Sequence, residues 1–262
     1  MLASMPLPVS TIEVCTQSTM ASTVDGLATE AALQILRDGG NAVDAAIAAN
    51  AVLAVTGQHF CGLGGDLFAL VYNRGGPPDC LNASGRAGSG ADLSRLLAEG
   101  HTALPHRGDP RSVTLPGVVD GWVLLQRRYG SMPMADVLAP AIRHAVDGFD
   151  ASPLLAPSAQ AVRGLPGAQD YDTLVEAGQL VRRPGVASVL RDLADGGRDA
   201  VYLGRYGEEL LASGAGEFQW ADLKRVQADW VDALGIRVWG HDVWTVPPNS
   251  QGYLSLAAAR IA

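Results

Sequence analysis

The stretch "NAVDAAIAANAVLAV", residues 41–55, constrains the fold of this chain most strongly, because nearly all of its side chains are small and apolar. Asn41 is a residue type that caps helices. Asp44, three residues later, lies where a negative charge stabilises the amino-terminal end of a helix. The stretch therefore predicts a helix. Its faces consist mostly of Ala and Val, so neighbouring backbones can approach it closely.

The segments before and after this helix predict another helix and a pair of strands. Asp25 precedes "GLATEAALQILRDGG", residues 26–40, in which apolar residues recur at three- and four-residue spacing until two glycines end the pattern. After a glycine loop, residues 67–73 form an apolar run short enough for a buried strand. Residues 79–87, "DCLNASGRA", predict its partner strand, reached through the turn "RGGPPD".

The rest of the chain predicts mostly helices. Residues 112–130 and 134–150 carry two further helical patterns, and residues 151–220 predict short helices separated by Gly and Pro. A hairpin with a glycine turn follows at residues 236–246, and residues 246–262 predict a turn and the start of a helix. Helices dominate one long block and the strands come in adjacent pairs, which indicates a layered α+β or αββα domain.

Charge and hydropathy exclude several classes of partner. Lys and Arg number 19 and Asp and Glu number 27, a formal net charge of −8, with both signs mixed along the chain. No basic patch suggests binding to nucleic acid or to an anionic membrane surface. The N-terminal residues lack a basic start with a continuous apolar run, and no apolar run approaches the roughly 20 residues that cross a bilayer. We therefore expect a soluble, cytoplasmic protein without nucleic-acid or membrane partners.

The spacing of cysteine and histidine argues against a disulfide framework and a metal site. The cysteines are odd in number and contain no CxxC pair, and the histidines form neither HExxH nor another compact ligand spacing. No GxSxG nucleophile elbow is present. We expect the thiols to be buried or incidental and the histidines to be structural. The residues concerned are Cys15, Cys61, Cys80, His59, His101, His106, His144 and His241.

The glycine loop "GLGGD", residues 62–66, is a candidate phosphate cradle, because exposed backbone N–H groups can bind anions. Its spacing matches neither GxGxxG nor a P-loop, and it runs from a helix into a strand. A structural role is favoured, in which the glycines let the chain turn from a tightly packed helix into a strand without steric strain.

Arg86 is the candidate binding residue. It lies in "NASGRAGSGA", residues 82–91, at the end of a predicted strand and between small residues that leave its guanidinium accessible. A planar fork of N–H donors suits a carboxylate ligand. From the residues alone, a solvated arginine in a turn is the favoured interpretation.

Six ordered motifs carry a family resemblance. They are "MASTVDGLATEAALQILRDGGNAVDAAIAANAVLAV", "CGLGGDLFALVY" with "LNASGRA", "TLPGVVDGWVLLQRRYG", "LAPAIRHAVDGF", "VYLG" and "VPPNSQG". In this order they resemble the large-subunit part of the γ-glutamyltranspeptidase and acylase family of N-terminal nucleophile hydrolases. The resemblance spans residues 17–262. It leaves residues 1–16 as an N-terminal extension and implies a large-subunit domain that is incomplete at its C-terminal end.

The resemblance implies a fold and a chemistry. The fold is a four-layer αββα sandwich, completed by a small chain that one self-cleaving precursor also supplies. The small chain begins with a threonine, whose hydroxyl attacks an amide carbonyl while its own α-amine acts as base. Water or an amine acceptor then resolves the acyl-enzyme. The resemblance implies no cofactor or metal and no catalytic residue in this chain. A dimer of such heterodimers is compatible with it.

Arg86 is the one residue to which the resemblance assigns a role, binding the carboxylate of a small-molecule acyl donor. Glutamyl-specific members carry Asp-Gly-Arg-Glu at this place, whereas this chain has "SGRA", which resembles the acylase-like branch. That branch includes cephalosporin and other amide acylases, and relatives in antibiotic pathways that cleave a carbon–carbon bond. Two alternatives to a γ-glutamyl-type hydrolase or transferase therefore stay open. One is such an acylase or carbon–carbon hydrolase, and the other is a non-catalytic scaffold that has lost self-processing.

Overall fold

The computed structural model describes residues 19–105, 108–165 and 167–262. The predicted N-terminal extension, Cys15 and His106 lie outside these residues. The chain divides into two compact units. The first combines the described residues up to Phe60 with Gly130–Arg183, and the second combines Cys61–Tyr129 with Pro184–Ala262.

Helices and short antiparallel strands are mixed along the chain. The helices are α1 (Gly26–Arg37), α2 (Ala42–Thr56), α3 (Leu93–Ala98), α4 (Val118–Tyr129), α5 (Met134–Asp147), α6 (Leu155–Ala159), α7 (Pro184–Tyr202), α8 (Arg205–Ser213), α9 (Trp220–Lys224) and α10 (Tyr253–Ile261). The strands are β1 (Leu67–Val71), β2 (Asp79–Ala83), β3 (Phe149–Asp150), β4 (Leu180–Val181), β5 (Asp229–Asp232), β6 (Leu234–Val238) and β7 (His241–Thr245). This content confirms the predicted α+β class.

The helix predicted at residues 41–55 is α2, a largely buried helix of the first unit. Asn41 caps it, because its Oδ1 accepts hydrogen bonds from the N–H groups of Val43 and Asp44 at 2.8 and 3.1 Å. Asp44 completes the box by accepting from the Asn41 N–H at 3.0 Å. α2 packs against α1 and α5. No helix within the described ranges is both long enough and apolar enough to cross a bilayer.

The second unit contains a three-stranded antiparallel sheet in the order β1-β2-β5. β1 and β2 pair as predicted, with Leu67 opposite Ala83. β5, which the sequence analysis does not predict, covers the other edge of β2. Its four residues, "DWVD", place exposed aspartates around two partly buried residues, a pattern too short to show strand alternation. β2 is thus the middle strand, and the chain that follows it leaves from the centre of the sheet.

Close packing on β2 determines where α4 begins. The pattern of residues 112–130 predicts a helix, but the helix starts only at Val118. Pro116 disfavours the helical conformation of the residue before it. Gly117 passes so close to β2 that a Cβ would lie 2.1 Å from the Ala83 carbonyl oxygen. Residues 113–117 are therefore not helical, and α4 packs on β1 and β2.

The remaining elements agree with the predictions in part. α6 and α8 are short as predicted, but α7 spans 19 residues, in which two helical stretches meet at Gly197 with a φ of 69°. The pair β3–β4 is too short to have been predicted. β6 and β7 form the predicted hairpin, and Trp239 and Gly240 in its turn both have positive φ, the combination found in type I′ turns. The predicted last helix is α10.

Candidate active site

Arg86 lies in the loop that leaves the middle strand β2. Gly85 makes this exit possible, because its φ is +79° and a Cβ there would lie 1.8 Å from the Leu115 carbonyl oxygen. The Arg86 carbonyl accepts a hydrogen bond from the Leu115 N–H at 2.8 Å. The backbone of Arg86 is thus fixed against the non-helical segment that precedes α4.

The guanidinium of Arg86 is bound on one edge by the chain itself. Its Nε donates to the Val226 carbonyl at 3.3 Å, and its Nη2 donates to Asp229 Oδ2 at 2.5 Å. The side chains of Arg86 and Asp229 are 33% and 57% exposed. The interpretation of Arg86 as a solvated arginine in a turn therefore covers only part of its environment. Arg86 lies in a loop, but its side chain has a carboxylate partner. Its binding of a substrate carboxylate stays a prediction.

A polar cluster of Asn82, Ser84 and Asn249 lies at the same end of β2. Asn249 Oδ1 accepts hydrogen bonds from Asn82 Nδ2 at 3.0 Å and from Ser84 Oγ at 3.3 Å, and Asn249 Nδ2 donates to Ser84 Oγ at 2.9 Å. Asn82 is the register partner of Asp229 on β5, so both side chains lie on one face of the sheet. The cluster and the Arg86–Asp229 pair therefore form one contiguous polar surface.

Four residues of this surface were not predicted as site residues. Asn82 and Ser84 lie in the motif "LNASGRA" and Asn249 lies in "VPPNSQG", so the resemblance quotes both motifs without assigning these side chains a role. Asp229 belongs to a strand that was not predicted. The signal that could have found the first three is the recurrence of small polar residues in two family motifs. Nothing in the local sequence indicates that Asp229 contacts Arg86.

A buried ion pair holds the segment that carries Asp229. Asp120 on α4 accepts hydrogen bonds from Arg198 Nε and from the Gln227 N–H, each at 2.7 Å, and its side chain is 1% exposed. Arg198 Nη2 also donates to the carbonyls of Leu223 and Arg225 at 2.8 and 2.5 Å. Burial raises the pKa of the Asp120 carboxyl, and the Gln227 N–H and the Arg198 guanidinium oppose that rise.

A second carboxylate ties the loop after Arg86 to α9. Asp222 Oδ2 accepts hydrogen bonds from the N–H and Oγ of Ser89, both at 2.9 Å, and from the Gln219 N–H at 3.0 Å. Burial alone would raise the pKa of Asp222, but these hydrogen bonds lower it below its ordinary value. A Cβ on Gly88 would lie 2.0 Å from the Glu217 carbonyl oxygen, so the loop lies directly on that backbone.

The glycine loop at residues 62–66 makes contacts that favour its structural role. The Gly65 carbonyl accepts hydrogen bonds from the N–H groups of Gly117 and Val118 at 3.1 and 3.2 Å. The Leu63 carbonyl accepts from the Tyr206 hydroxyl at 2.8 Å. The loop thus accepts hydrogen bonds from N–H groups at the start of α4 and supports the segment against which the Arg86 backbone is fixed.

The described histidines and cysteines do not assemble a metal site. Among residues 19–105, 108–165 and 167–262, no three His, Cys, Asp or Glu side chains converge as ligands. Burial lowers the pKa of His59 and His144 and raises that of the Cys61 and Cys80 thiols. Both directions favour uncharged side chains. The other two described histidines are His101, after α3, and His241, in β7.

The close contact at Gly85 yields a stability prediction. Gly85→Ala should lower the free energy of unfolding by about 1–3 kcal/mol more than Gly100→Ala, as expected for an overpacked backbone contact. Both glycines have positive φ, but a Cβ on Gly100 would meet no atom within 4 Å. The loss of stability in Gly100→Ala therefore measures the cost of a side chain on a left-handed backbone, without the cost of a steric clash. Urea denaturation of both variants measures the difference, and equal losses would contradict the close approach.

This chain is similar to several known proteins over most of its length. The Gamma-glutamyltranspeptidase family model matches residues 28–262. The oxamate amidohydrolase proenzyme of Klebsiella pneumoniae is 35% identical over 257 residues, covering 91% of this chain and 48% of that protein. Cephalosporin acylase from Bacillus halodurans has a TM-score of 0.82 at 32% identity, covering 90% of this chain and 47% of the other. Gamma-glutamyltranspeptidase from Pseudomonas nitroreducens, complexed with L-DON, has a TM-score of 0.84 at 28% identity, covering 93% and 75%.

These matches extend over both units. The chain spans about half the length of the curated relatives it matches, and the names of several of them, including the oxamate amidohydrolase, describe proenzymes. The family match includes Arg86 and every residue of the polar surface around it. It confirms the resemblance drawn from the six sequence motifs. The chain belongs to the gamma-glutamyltranspeptidase family.

Proposed function

We propose that this chain is the large chain of a self-processing threonine N-terminal nucleophile hydrolase or acyltransferase, in which Arg86 binds the carboxylate of the acyl group. The observation that carries this proposal is the placement of the Arg86 guanidinium. It is fixed beyond the middle strand β2, and its Nη1 has no hydrogen-bond partner among the described residues. A fixed guanidinium with an unused edge is suited to a carboxylate ligand.

In the proposed reaction, the small chain supplies the nucleophile and this chain anchors the substrate. The threonine hydroxyl attacks the amide carbonyl, its α-amine takes the proton, and the amine of the substrate leaves with that proton. Water or an amine acceptor then attacks the acyl-enzyme, while backbone N–H groups stabilise the oxyanion. Arg86 holds the acyl group in position through a charge-assisted contact of about 1.5–3 kcal/mol.

The surroundings of Arg86 favour an amide acylase over a γ-glutamyl-specific enzyme. Ser84 and Ala87 occupy the positions where glutamyl-specific members carry acidic residues. The relatives described above include an oxamate amidohydrolase and a cephalosporin acylase. Ser84 is not the proposed nucleophile, because its Oγ exchanges hydrogen bonds with the Asn249 amide rather than with a base. The proposed substrates are therefore amides whose acyl group carries a carboxylate.

The proposed small chain also completes the fold. Within the described residues, β1 and β5 each pair on one side only, with β2. Unpaired strand edges are available for further strands. We infer that strands of the small chain extend this sheet into the four-layer αββα sandwich and that the two chains form a heterodimer.

Intact mass spectrometry of the complete, freshly purified gene product tests this proposal. We expect two chains from one precursor, the smaller beginning with threonine. Replacing that threonine with alanine should leave a single uncut chain, because the same hydroxyl carries out self-cleavage and catalysis. A single uncut species from the unaltered protein would instead support the scaffold alternative. Hydrolysis of amide donors by the two-chain form then tests the activity itself.

A further inference from the structure

The two edges of the Arg86 guanidinium differ in their hydrogen bonding to the rest of the chain. The edge formed by Nε and Nη2 is occupied, because Nε donates to Val226 O at 3.3 Å and Nη2 donates to Asp229 Oδ2 at 2.5 Å. The edge formed by Nη1 and the second hydrogen of Nη2 has no partner among the residues that the structure describes. A guanidinium can bind carboxylates on both edges, since its five N–H donors are arranged as a planar fork.

This occupancy determines how a substrate carboxylate can approach. Provided that Asp229 stays in place, the substrate must use the Nη1–Nη2 edge. Its nearer oxygen then shares Nη2 with Asp229, which puts the two carboxylates roughly 5 Å apart for ordinary hydrogen-bond lengths. At that distance two negative charges repel each other, and the partial exposure of Asp229 weakens the repulsion without removing it.

The position of Asp229 is fixed by more than its contact with Arg86. Its backbone lies in β5, opposite Asn82 on the middle strand. The segment before it is held by the hydrogen bond that the Gln227 N–H donates to the buried Asp120 carboxylate. The backbone that carries Asp229 is therefore held by contacts other than the Arg86–Asp229 pair.

We propose that Asp229 determines the charge selectivity of the acyl site: it orients Arg86 and places a fixed negative charge beside the bound carboxylate. This inference rests on the proposed role of Arg86. The Arg86–Asp229 pair accepts an acyl group with one carboxylate on the unused edge of Arg86. It disfavours an acyl group with a second anionic group nearby, because that group would face Asp229 without a cation of its own.

The test uses the complete, processed enzyme and three anilide donors of matched length. Their acyl groups carry one free carboxylate, two free carboxylates, or one carboxylate blocked as a methyl ester. Asp229→Asn keeps an oxygen that can accept from Nη2 and removes the charge. We expect kcat/KM for the dicarboxylate donor to rise about three- to tenfold relative to the monocarboxylate donor, the size of the repulsion between two solvated charges at this separation. Activity toward the ester should change less than activity toward the dicarboxylate donor, and the selectivity effect should shrink as salt increases.

Asp232→Asn is the matched control. Asp232 lies on the same strand and its loss changes the net charge equally, but its register partner is Asp79 rather than Asn82. The control should leave the selectivity ratio unchanged. An unchanged or lower ratio in Asp229→Asn, or the same rise in Asp232→Asn, would overturn the inference.

A binding measurement separates this inference from the proposed function. If the protein cleaves none of the three donors, the function fails. Equilibrium titration with the primary amides of the same mono- and dicarboxylate acyl groups then still tests Asp229. A relative gain of about three- to tenfold for the dicarboxylate in Asp229→Asn supports the inference for a binding protein, and equal affinities in variant and parent refute it.

Discussion

Arg86→Gln is expected to lower kcat/KM about 10- to 150-fold for donors whose acyl group carries a free carboxylate. The factor follows from a charge-assisted hydrogen bond of about 1.5–3 kcal/mol, at about 1.4 kcal/mol for each tenfold change. Gln retains an amide NH₂ group with two N–H donors but loses the charge and the planar fork. Steady-state kinetics with a carboxylate donor and its methyl ester measure the effect, and the ester should lose little.

Two further variants make this result specific. Arg237→Gln removes the same charge from an exposed arginine whose partner is Asp242 on the β6–β7 hairpin, and it should leave kcat/KM unchanged. Arg86→Lys keeps the charge without the fork, so its activity should fall between those of Arg86→Gln and the parent. Because the Arg86 side chain is partly exposed, the fold should tolerate both changes at this position. Equal losses for the donor and its ester would contradict a role in carboxylate binding.

The parts of the fold that could be predicted from sequence are those with local signals. Asn41 and Asp44 form a capping box within four residues, so the start of α2 is encoded where it occurs. The hairpin β6–β7 is indicated by alternating apolar residues around Gly240. β5 has no such signal, because it becomes a strand through pairing with β2, far away in sequence. Its existence depends on tertiary context rather than on its own residues.

The residues of the candidate site also divide into those that a local sequence pattern indicates and those that it does not. The residue pattern around Arg86 suggested a carboxylate ligand but could not outweigh a surface role, and the family resemblance was needed to select it. Asp229 and Asn249 reach the end of β2 from distant parts of the chain, at contacts that no local pattern encodes. The buried pair of Asp120 and Arg198 is equally non-local. Charged residues on a helix ordinarily indicate a solvated face, so the sequence alone would place Asp120 and Arg198 on the surface.

That buried pair connects the stability of the second unit with the geometry of its site. Arg198 binds the Arg225 carbonyl, and Asp120 binds the Gln227 N–H, at either end of the turn that contains Val226. The Val226 carbonyl in turn accepts from Arg86 Nε. One buried carboxylate therefore supports the backbone that orients the proposed substrate anchor. A defect at Asp120 should affect both folding and the placement of Arg86.

Asp120→Ala should accordingly lower the free energy of unfolding by about 3–5 kcal/mol, the range for removing one partner of a buried ion pair. The loss leaves the largely buried Arg198 guanidinium without its carboxylate and the Gln227 N–H without its acceptor. Urea denaturation followed by tryptophan fluorescence measures it, since all five tryptophans of this chain lie in the second unit. Asp242→Ala, which breaks the exposed pair with Arg237, should cost at most about 1 kcal/mol.

Comparing Asp120→Ala with Asp120→Asn separates charge from hydrogen bonding. Asn can still accept from the Gln227 N–H, so it should retain the position of the Val226 turn better than Ala does. We expect Asp120→Asn, where it folds, to keep more activity toward carboxylate donors than Asp120→Ala at equal fractions of folded protein. If both variants bind the donor as tightly as the parent, the turn is held by other contacts and Asp120 serves stability alone. If both lose carboxylate affinity while the ester donor is unaffected, the buried pair acts on the site through Arg86.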